Sequence, residues 1–191
     1  NGPRLARRRA AALDSRSARI VKGGPQGNTM PRNRASVLIG LDWGTSHLRA
    51  YRIGAGSEVL VRRDAAAGIL KIASGDFAAT LAATVGDWIA SAPDLPVLAS
   101  GMIGSRQGWR EVPYVACPAG LDELAAGIAI VDAGGGRSVR IVPGMLSPGT
   151  RDGFPDVMRG EETQIMGSLG ASGAAGRFVL PGTHSKWVWC A

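Results

Sequence analysis

Short apolar runs and alternating segments divide the chain into strand-like pieces. Residues 37–41 form an apolar run typical of a buried strand, and residues 48–53 alternate apolar and polar positions, as a half-buried strand does. The same criteria predict four more strands, at residues 58–62, 96–100, 138–142 and 177–180.

Apolar residues at helical spacing fill the intervals between these strands. One helical stripe runs through residues 74–93, and a second is expected around residues 121–128. A third helix is predicted from Asp156, as its N-cap, to Leu169. The resulting order β-β-β-α-β-α-β-α, followed by one more strand, predicts an α/β fold.

A glycine-threonine turn joins the first two predicted strands. Gly44 supplies the backbone freedom of a tight hairpin, and the amides of Gly44, Thr45 and Ser46 make an anion-binding concavity suited to phosphate. Asp42, at the strand end, is placed to hold a magnesium ion through water. The alternative is an ordinary hairpin in which Asp42 and Thr45 satisfy the turn amides.

A second turn of the same kind lies about 140 residues later, within residues 181–187. Gly182, Thr183 and Ser185 repeat the small and hydroxyl-bearing residues of the first turn. Lys186 either faces a phosphate or is an ordinary exposed lysine of the following strand. Two such turns predict a pair of hairpins that hold the phosphates of a nucleotide from opposite sides.

With both turns, the chain resembles the sugar-kinase, Hsp70 and actin superfamily of ATPases. Four strings, in order and spacing, are similar to the 2-dehydro-3-deoxygalactonokinase family, and the most specific are Met-Arg-Gly-Glu-Glu-Thr-Gln and Pro-Gly-Thr-His-Ser-Lys-Trp. The strings occupy residues 39–51, 99–105, 156–164 and 180–187.

The resemblance implies a fold, a reaction and a domain plan. Residues 36–175 are expected to form a ribonuclease-H-like domain, and residues 176–191 the first strand and phosphate turn of a second, similar domain. The implied activity is ATP- and Mg²⁺-dependent phosphorylation of O6 of 2-dehydro-3-deoxy-D-galactonate in galactonate catabolism. The adenosine-binding part is expected in a missing C-terminal domain, so the chain by itself is expected to be an inactive part of the enzyme.

Two adjacent carboxylates in the third predicted helix are the candidate catalytic residues. With Met158 at the start of a helical wheel, Glu162 falls within the apolar arc and Glu161 at its edge. A buried carboxylate with a raised pKa suits a general base toward a hydroxyl group. Sugar kinases of the superfamily carry a catalytic carboxylate at this position, which the resemblance assigns to Glu161 or Glu162. The alternative is a capping or salt-bridged pair at a helix start.

The loop after the fourth predicted strand is the candidate substrate site. In open α/β sheets ligands bind beyond the carboxyl ends of the strands, where Gly104, Ser105 and Arg106 are expected. Arg106 then faces a substrate carboxylate or is simply solvated. Arg159 either binds the carboxylate bidentately or neutralises Glu162. Trp109 and Tyr114 either line this pocket or anchor the core.

The net charge of +7 belongs to the first residues of the chain. Residues 1–35 contain nine Arg or Lys residues and one acid, whereas residues 36–191 contain 13 basic and 14 acidic residues. This leader is expected to be disordered or non-native upstream sequence, the alternatives being a transit peptide or a nucleic-acid-binding arm. Because it lacks an aromatic platform or a reader motif, no nucleic-acid partner is expected.

Cysteine usage and hydropathy further restrict the class of protein to which the chain can belong. Cys117 and Cys190 are far apart and lack metal-ligand spacing, so neither a zinc site nor a disulfide framework is predicted. No stretch approaches the roughly 20 apolar residues of a membrane span. A cytoplasmic protein that binds ATP and a small sugar acid, without a membrane partner, is the resulting expectation.

Overall fold

The computed structural model describes residues 35–72, 75–149, 153–172, 175–182 and 184–190, all within the unit Asn33–Ala191. Its elements in chain order are β1 (Ser36–Trp43), β2 (Leu48–Gly54), β3 (Val59–Ala65), α1 (Phe77–Ser91), β4 (Val97–Ser100), β5 (Val115–Ala116), α2 (Leu121–Ala126), β6 (Ala129–Gly134), β7 (Arg137–Ile141), β8 (Met145–Ser147), β9 (Asp156–Met158), α3 (Glu161–Ser172), β10 (Gly176–Leu180) and β11 (Lys186–Cys190).

Six strands form the central sheet, in the order β3-β2-β1-β4-β7-β6. β1, β4 and β7 run parallel to one another, whereas β2, β3 and β6 add antiparallel neighbours. Since the parallel strands end at the same edge, the loops that follow β1 and β4 lie next to each other. That edge is where ligands bind in open α/β sheets.

One face of the sheet packs against α1. Ile39 and Trp43 of β1 are fully buried, and Trp43 contacts Phe77 edge-on with ring centroids 5.8 Å apart. Trp109 joins this cluster, with its ring centroid 6.3 Å from that of Trp43. Of the two interpretations of Trp109, the core anchor is therefore the correct one. The side chain of Asp76 caps α1 by accepting the amide of Ala79 at 2.9 Å.

Among the described residues, two smaller sheets accompany the central sheet. They are the three-stranded sheet β5-β8-β9 and the hairpin β10-β11. The register of the hairpin pairs Leu180 with Lys186 across the second glycine-threonine turn. The first turn pairs Trp43 with Leu48 in the same antiparallel manner. Both predicted hairpins are therefore present.

The mixed α/β architecture is confirmed, and the structure adds short strands to the prediction. All six predicted strands occur, as β1, β2, β3, β4, β7 and β10. The strands β5, β8 and β9 have only two or three residues each, which is too short for a period-two pattern to register. β6 forms a hairpin with β7 through residues 134–136, three glycines with positive φ.

The predicted start of the third helix is wrong. Asp156 is not an N-cap, because residues 156–158 pair with β8 as strand β9. The helix begins at Glu161, directly after Gly160, whose φ of +110° lies outside helical geometry. Met158 therefore does not share the helical wheel of Glu162, although the predicted burial of Glu162 is correct.

Residues 1–34 of the leader, Ser74 at the predicted start of the first helix, and Thr183 of the second turn lie outside the described residues. Within the described ranges, no helix is both long and apolar enough to cross a membrane.

Candidate active site

Three backbone segments meet at the carboxyl edge of the central sheet, and glycines allow the contact. Gly101 follows β4 with a φ of +96°, and a Cβ atom there would lie 2.9 Å from the carbonyl oxygen of Trp43. A Cβ atom at Gly160, before α3, would lie 3.3 Å from the Cα atom of Gly101. Both glycines combine a left-handed backbone with a close approach that a side chain would prevent. The end of β1, the loop after β4 and the start of α3 therefore form one site.

The first glycine-threonine turn is fixed by its own backbone. The amide of Gly44 donates to the carbonyl of His47 at 2.9 Å, which closes the turn. The carbonyls of Gly44 and Thr45 accept backbone hydrogen bonds of 3.0 and 3.3 Å from the 3-10 turn Ile69–Lys71. Thr45 and Ser46 are exposed. The Gly44 amide is thus used within the turn, while Thr45 and Ser46 are open to a ligand.

Asp42 lies at the end of β1, beside this turn. Its Oδ2 atom accepts a hydrogen bond of 2.9 Å from Nη1 of Arg49 on β2. Asp42 also lines a cavity of about 380 Å³ together with Ser100, Thr163 and Gln164. The predicted metal ligand therefore faces the start of α3.

The donors around Asp42 suit a largely hydrated magnesium ion. Mg²⁺ takes oxygen ligands and is commonly bound by one or two carboxylates together with waters and substrate phosphates. The cavity supplies one carboxylate, an amide oxygen and three hydroxyl groups, those of Tyr51, Ser100 and Thr163. Among the described residues, no group of three or more His, Cys, Asp or Glu side chains forms an all-protein metal site. The residues fit an ion that reaches the site with phosphate.

Glu161 and Glu162 open α3 in different environments. Glu162 is fully buried, and its Oε1 and Oε2 atoms accept the amide of Gly160 at 2.8 and 2.7 Å. The hydroxyl of Thr163 donates to Oε1 at 3.3 Å. Burial raises the pKa of Glu162, because the charged form loses its hydration. Glu161 is half-buried and accepts the amide of Arg159 at 2.9 Å.

The guanidinium of Arg159 does not pair with Glu162. Its Nη2 atom donates to the carbonyl of Val112 at 2.8 Å, and its Cζ atom lies 4.2 Å from the centre of the Tyr114 ring. Nε and Nη1 are buried and have no hydrogen-bond partner in the part of the chain that the structure describes. Arg159 lines a cavity of about 360 Å³ that Ser105 also lines.

The predicted substrate loop contributes to the same cavity, with unequal roles. Gly104 lies under Arg159, since a Cβ atom at Gly104 would come within 2.8 Å of Nη1. Ser105 lines the cavity, but its hydroxyl donates to a carbonyl of its own loop at 2.7 Å. The Arg106 side chain is 88% exposed and lies 3.8 Å from a carboxylate oxygen of Glu111. Of the two interpretations of Arg106, the solvated one describes this structure.

The second glycine-threonine turn lies at the edge of another cavity. Gly182 and Ser185 are exposed, and Ser185 lines a cavity of about 540 Å³ between β9 and β11. Lys186 forms an ion pair with Asp156 of β9. This pair lowers the pKa of Asp156, chiefly through the hydrogen bond from Lys186. Lys186 therefore anchors the hairpin to the neighbouring sheet.

Several residues of the site were not singled out from the sequence. Thr163 and Gln164 face Asp42, and they belong to the Met-Arg-Gly-Glu-Glu-Thr-Gln string, which is the signal that could have marked them. Ser100 ends a buried strand, the place where ligands bind in such sheets. For Tyr114, which the sequence offers as a pocket residue, no local pattern predicts the contact with Arg159.

Known proteins with similar sequences share one description. The family model of 2-keto-3-deoxy-galactonokinase matches residues 42–191. A Rhizobium meliloti (strain 1021) protein named "Probable 2-dehydro-3-deoxygalactonokinase" is 43% identical over 157 residues, which are 81% of this chain and 49% of that protein. The Escherichia coli (strain K12) 2-dehydro-3-deoxygalactonokinase is 36% identical over 150 residues, or 78% of this chain and 48% of that protein.

A solved structure agrees with these sequence matches. The crystal structure of a Sinorhizobium meliloti protein described as a candidate 2-dehydro-3-deoxygalactonokinase superposes with a TM-score of 0.66 at 39% identity. The match covers 81% of this chain and 50% of that structure. The chain therefore spans about half the length of the relatives it matches.

Proposed function

The chain belongs to the 2-keto-3-deoxy-galactonokinase family, and we propose that its protein transfers the γ-phosphate of ATP to O6 of 2-dehydro-3-deoxy-D-galactonate. The reaction would serve the breakdown of galactonate in the cytoplasm. The described residues would supply the sugar-acid pocket, the base and the first phosphate turn. The adenosine site would come from sequence like that of the other half of the relatives.

The glycine contacts at the sheet edge are the observation that carries this proposal. They bring Asp42 and the first turn close to the two glutamates of α3, which lie more than 100 residues later in the chain. Phosphoryl transfer depends mainly on positioning and on charge neutralisation. A site that combines an exposed hydroxyl turn, one carboxylate for a hydrated ion and one buried carboxylate supports this chemistry.

The phosphate side of the site lies at the first turn. In the proposal Thr45 and Ser46 bind phosphate oxygens, and Asp42 holds Mg²⁺ through water. Mg²⁺ supplies neutralisation of the phosphate charge when it is bound. Gly44 keeps the turn closed. Gly182, Thr183 and Ser185 of the second turn are proposed to bind phosphate from the other side, with Lys186 anchoring that turn through Asp156.

We assign the general base to Glu162. Burial raises its pKa, and a carboxylate with a raised pKa is a better acceptor for the proton of a hydroxyl group. In the proposal the substrate hydroxyl approaches this carboxylate from the cavity of about 790 Å³ that Glu162 lines. Glu161 is given a supporting role, because it holds the backbone amide of Arg159 at 2.9 Å.

The acid group of the substrate is assigned to Arg159. Nε and Nη1 of the guanidinium have no partners among the described residues, and a carboxylate oxygen is the acceptor that forms the stronger, charge-assisted hydrogen bond with such an N–H group. Arg106 is exposed and already near Glu111, so it is not part of this assignment. Gly104 and Ser105 complete the wall of the pocket.

The proposal extends to the fold. The sheet order β3-β2-β1-β4-β7, with only β2 antiparallel to β1, supports a ribonuclease-H-like domain at residues 36–175. The hairpin β10-β11 supports the start of a second domain at residue 176.

The test is a coupled ADP-release assay with 2-dehydro-3-deoxygalactonate. It compares the 191-residue chain, the product of the complete gene, and the single variants Glu161→Gln and Glu162→Gln of that product. We expect turnover in the complete product and none in the chain alone. General-base catalysis contributes about 10²- to 10⁴-fold, so Glu162→Gln should lower kcat by that factor.

The alternatives give different results. A large kcat loss in Glu161→Gln with an active Glu162→Gln would move the base to Glu161. Absence of turnover in the folded complete product would remove the substrate assignment, and turnover with other sugar acids would redirect it.

A further inference from the structure

Arg159 and Tyr114 form the centre of a stack whose neighbours are both glycines. The guanidinium lies 4.2 Å from the Tyr114 ring centre. On the guanidinium side, a Cβ atom at Gly104 would lie 2.8 Å from Nη1. On the ring side, a Cβ atom at Gly144 would lie 2.7 and 2.8 Å from two carbons of the Tyr114 ring. Any larger residue at either glycine would displace the stack.

The backbone fixes the spacing of this stack. The amide of Val112 donates to the carbonyl of Gly104 at 2.9 Å, and the amide of Val115 donates to the carbonyl of Gly144 at 2.9 Å. The carbonyl of Val112 in turn accepts from Nη2 of Arg159. Tyr114 therefore lies on a short segment whose two ends are hydrogen-bonded to Gly104 and Gly144, the glycines that contact the stack.

The stack holds a charge that the protein leaves unneutralised. Nε and Nη1 of Arg159 are buried and have no partner within the described ranges. Leaving such N–H groups without acceptors costs stability, so a native protein is expected to retain them for a ligand. The acidic side chain on the wall of the same cavity, Glu111, lies near Arg106 instead.

We propose that this stack is the receptor for the carboxylate of the substrate, and that Tyr114 is a positioning residue that makes the site select acids over neutral sugars. The inference rests on the proposed function and deepens it. Tyr114 acts through Arg159: its ring fixes the plane of the guanidinium and so the direction of the N–H groups. Gly104 limits the size of the receptor, because its missing side chain leaves the space for Nη1.

The kinetic test uses the complete-gene product with two substrates, 2-dehydro-3-deoxygalactonate and its neutral carboxamide. Tyr114→Phe keeps the ring and should leave both KM values within about twofold. Tyr114→Leu should raise KM for the acid by about 3- to 30-fold, the factor that corresponds to a partly desolvated cation–π contact. Its kcat and its KM for the carboxamide should stay within about threefold.

A glycine pair tests the size limit. Gly104→Ala should raise KM for the acid at least as much as Tyr114→Leu, because the new Cβ atom meets Nη1. Gly86→Ala is the matched control, since a Cβ atom there would meet only the Cβ atom of Ala82 at 3.9 Å. Equal KM increases for the acid and the carboxamide in Tyr114→Leu, or a defect in Tyr114→Phe as large as in Tyr114→Leu, would overturn the proposal.

A spectroscopic test is independent of turnover. In protein labelled with 3-fluorotyrosine, the ¹⁹F resonances lost in Tyr114→Phe and Tyr51→Phe identify the two positions. Pyruvate, as a simple 2-oxo acid, should shift the Tyr114 resonance and leave that of Tyr51 in place. The shift should disappear in Arg159→Met. An unmoved Tyr114 resonance with both pyruvate and the sugar acid would overturn the receptor, whereas a shift without turnover would overturn only the kinase assignment.

Discussion

Among the described residues, two arginines lie within 4.4 Å of the centre of an aromatic ring, and their surroundings differ in one respect. Arg63 lies 4.4 Å from the Trp88 ring, and its guanidinium donates to both carboxylate oxygens of Asp87 at 2.6 and 2.7 Å. Arg159 lies 4.2 Å from the Tyr114 ring, but no described carboxylate reaches its guanidinium. The guanidinium of Arg63 has its counter-charge within the protein, whereas that of Arg159 is proposed to find its counter-charge in the substrate.

This difference is the reason for giving Arg63 a structural role and for proposing a binding role for Arg159. Arg63 connects β3 to α1, two elements that already share the core, and its side chain is partly open to water. Arg159 sits between β9 and α3, where its unpaired N–H groups are sealed from water. A protein under selection for stability alone would have little reason to keep the second arrangement.

The largest expected effect is on substrate affinity. Arg159→Met in the complete-gene product removes the charge-assisted hydrogen bond to the substrate, which contributes about 1.5–3 kcal/mol. KM for 2-dehydro-3-deoxygalactonate should therefore rise by about 10- to 150-fold. Arg63→Met removes a guanidinium of the same size from the other stack and should leave KM unchanged. Equal KM values in the two variants would break the comparison.

The contrast between the two stacks also shows what the sequence could reveal. The two hairpins were predictable because their residues are local: a glycine-threonine turn lies directly between two apolar segments. Burial of Glu162 was predictable for the same reason, since Ile165 and Leu169 follow it at helical spacing on α3.

Long-range contacts were not predictable in this way. Tyr114 and Arg159 are 45 positions apart, and no periodic pattern connects residues on a loop and on the turn before a helix. The start of α3 was misplaced because β9 is stabilised by pairing with β8, which propensity along the chain does not show. Asp156, the partner of Lys186, lies on that same strand, so the ion pair between them was not predicted either.

A smaller effect, different in the two stacks, is expected on stability without ligand. Arg63→Met should lower the free energy of unfolding by about 0.5–1 kcal/mol, the contribution of its contact with Trp88. Arg159→Met should change it little, because the loss of the Tyr114 contact and of the hydrogen bond to Val112 is offset by the removal of two buried N–H groups without acceptors. Urea unfolding followed by tryptophan fluorescence measures both. A loss of stability in Arg159→Met as large as in Arg63→Met would show that its guanidinium is satisfied within the protein.

The smallest effect is a difference in acid sensitivity. The hydrogen bond from Arg63 lowers the pKa of Asp87 to about 2, whereas an unfolded aspartate titrates near 4. Asp87 therefore stabilises the fold above about pH 4, and this contribution is lost as the pH falls toward 2. Asp87→Asn should be less stable than the wild type at pH 6, and the difference should shrink between pH 4 and pH 2. Asp94→Asn, in the exposed turn after α1, controls for the loss of one carboxylate. The difference in stability between Arg159→Met and the wild type should not change with pH, because no described carboxylate pairs with Arg159. An Asp87→Asn difference that does not change with pH would mean that Arg63 is not held by Asp87, and the contrast between the stacks would then rest on their solvent exposure alone.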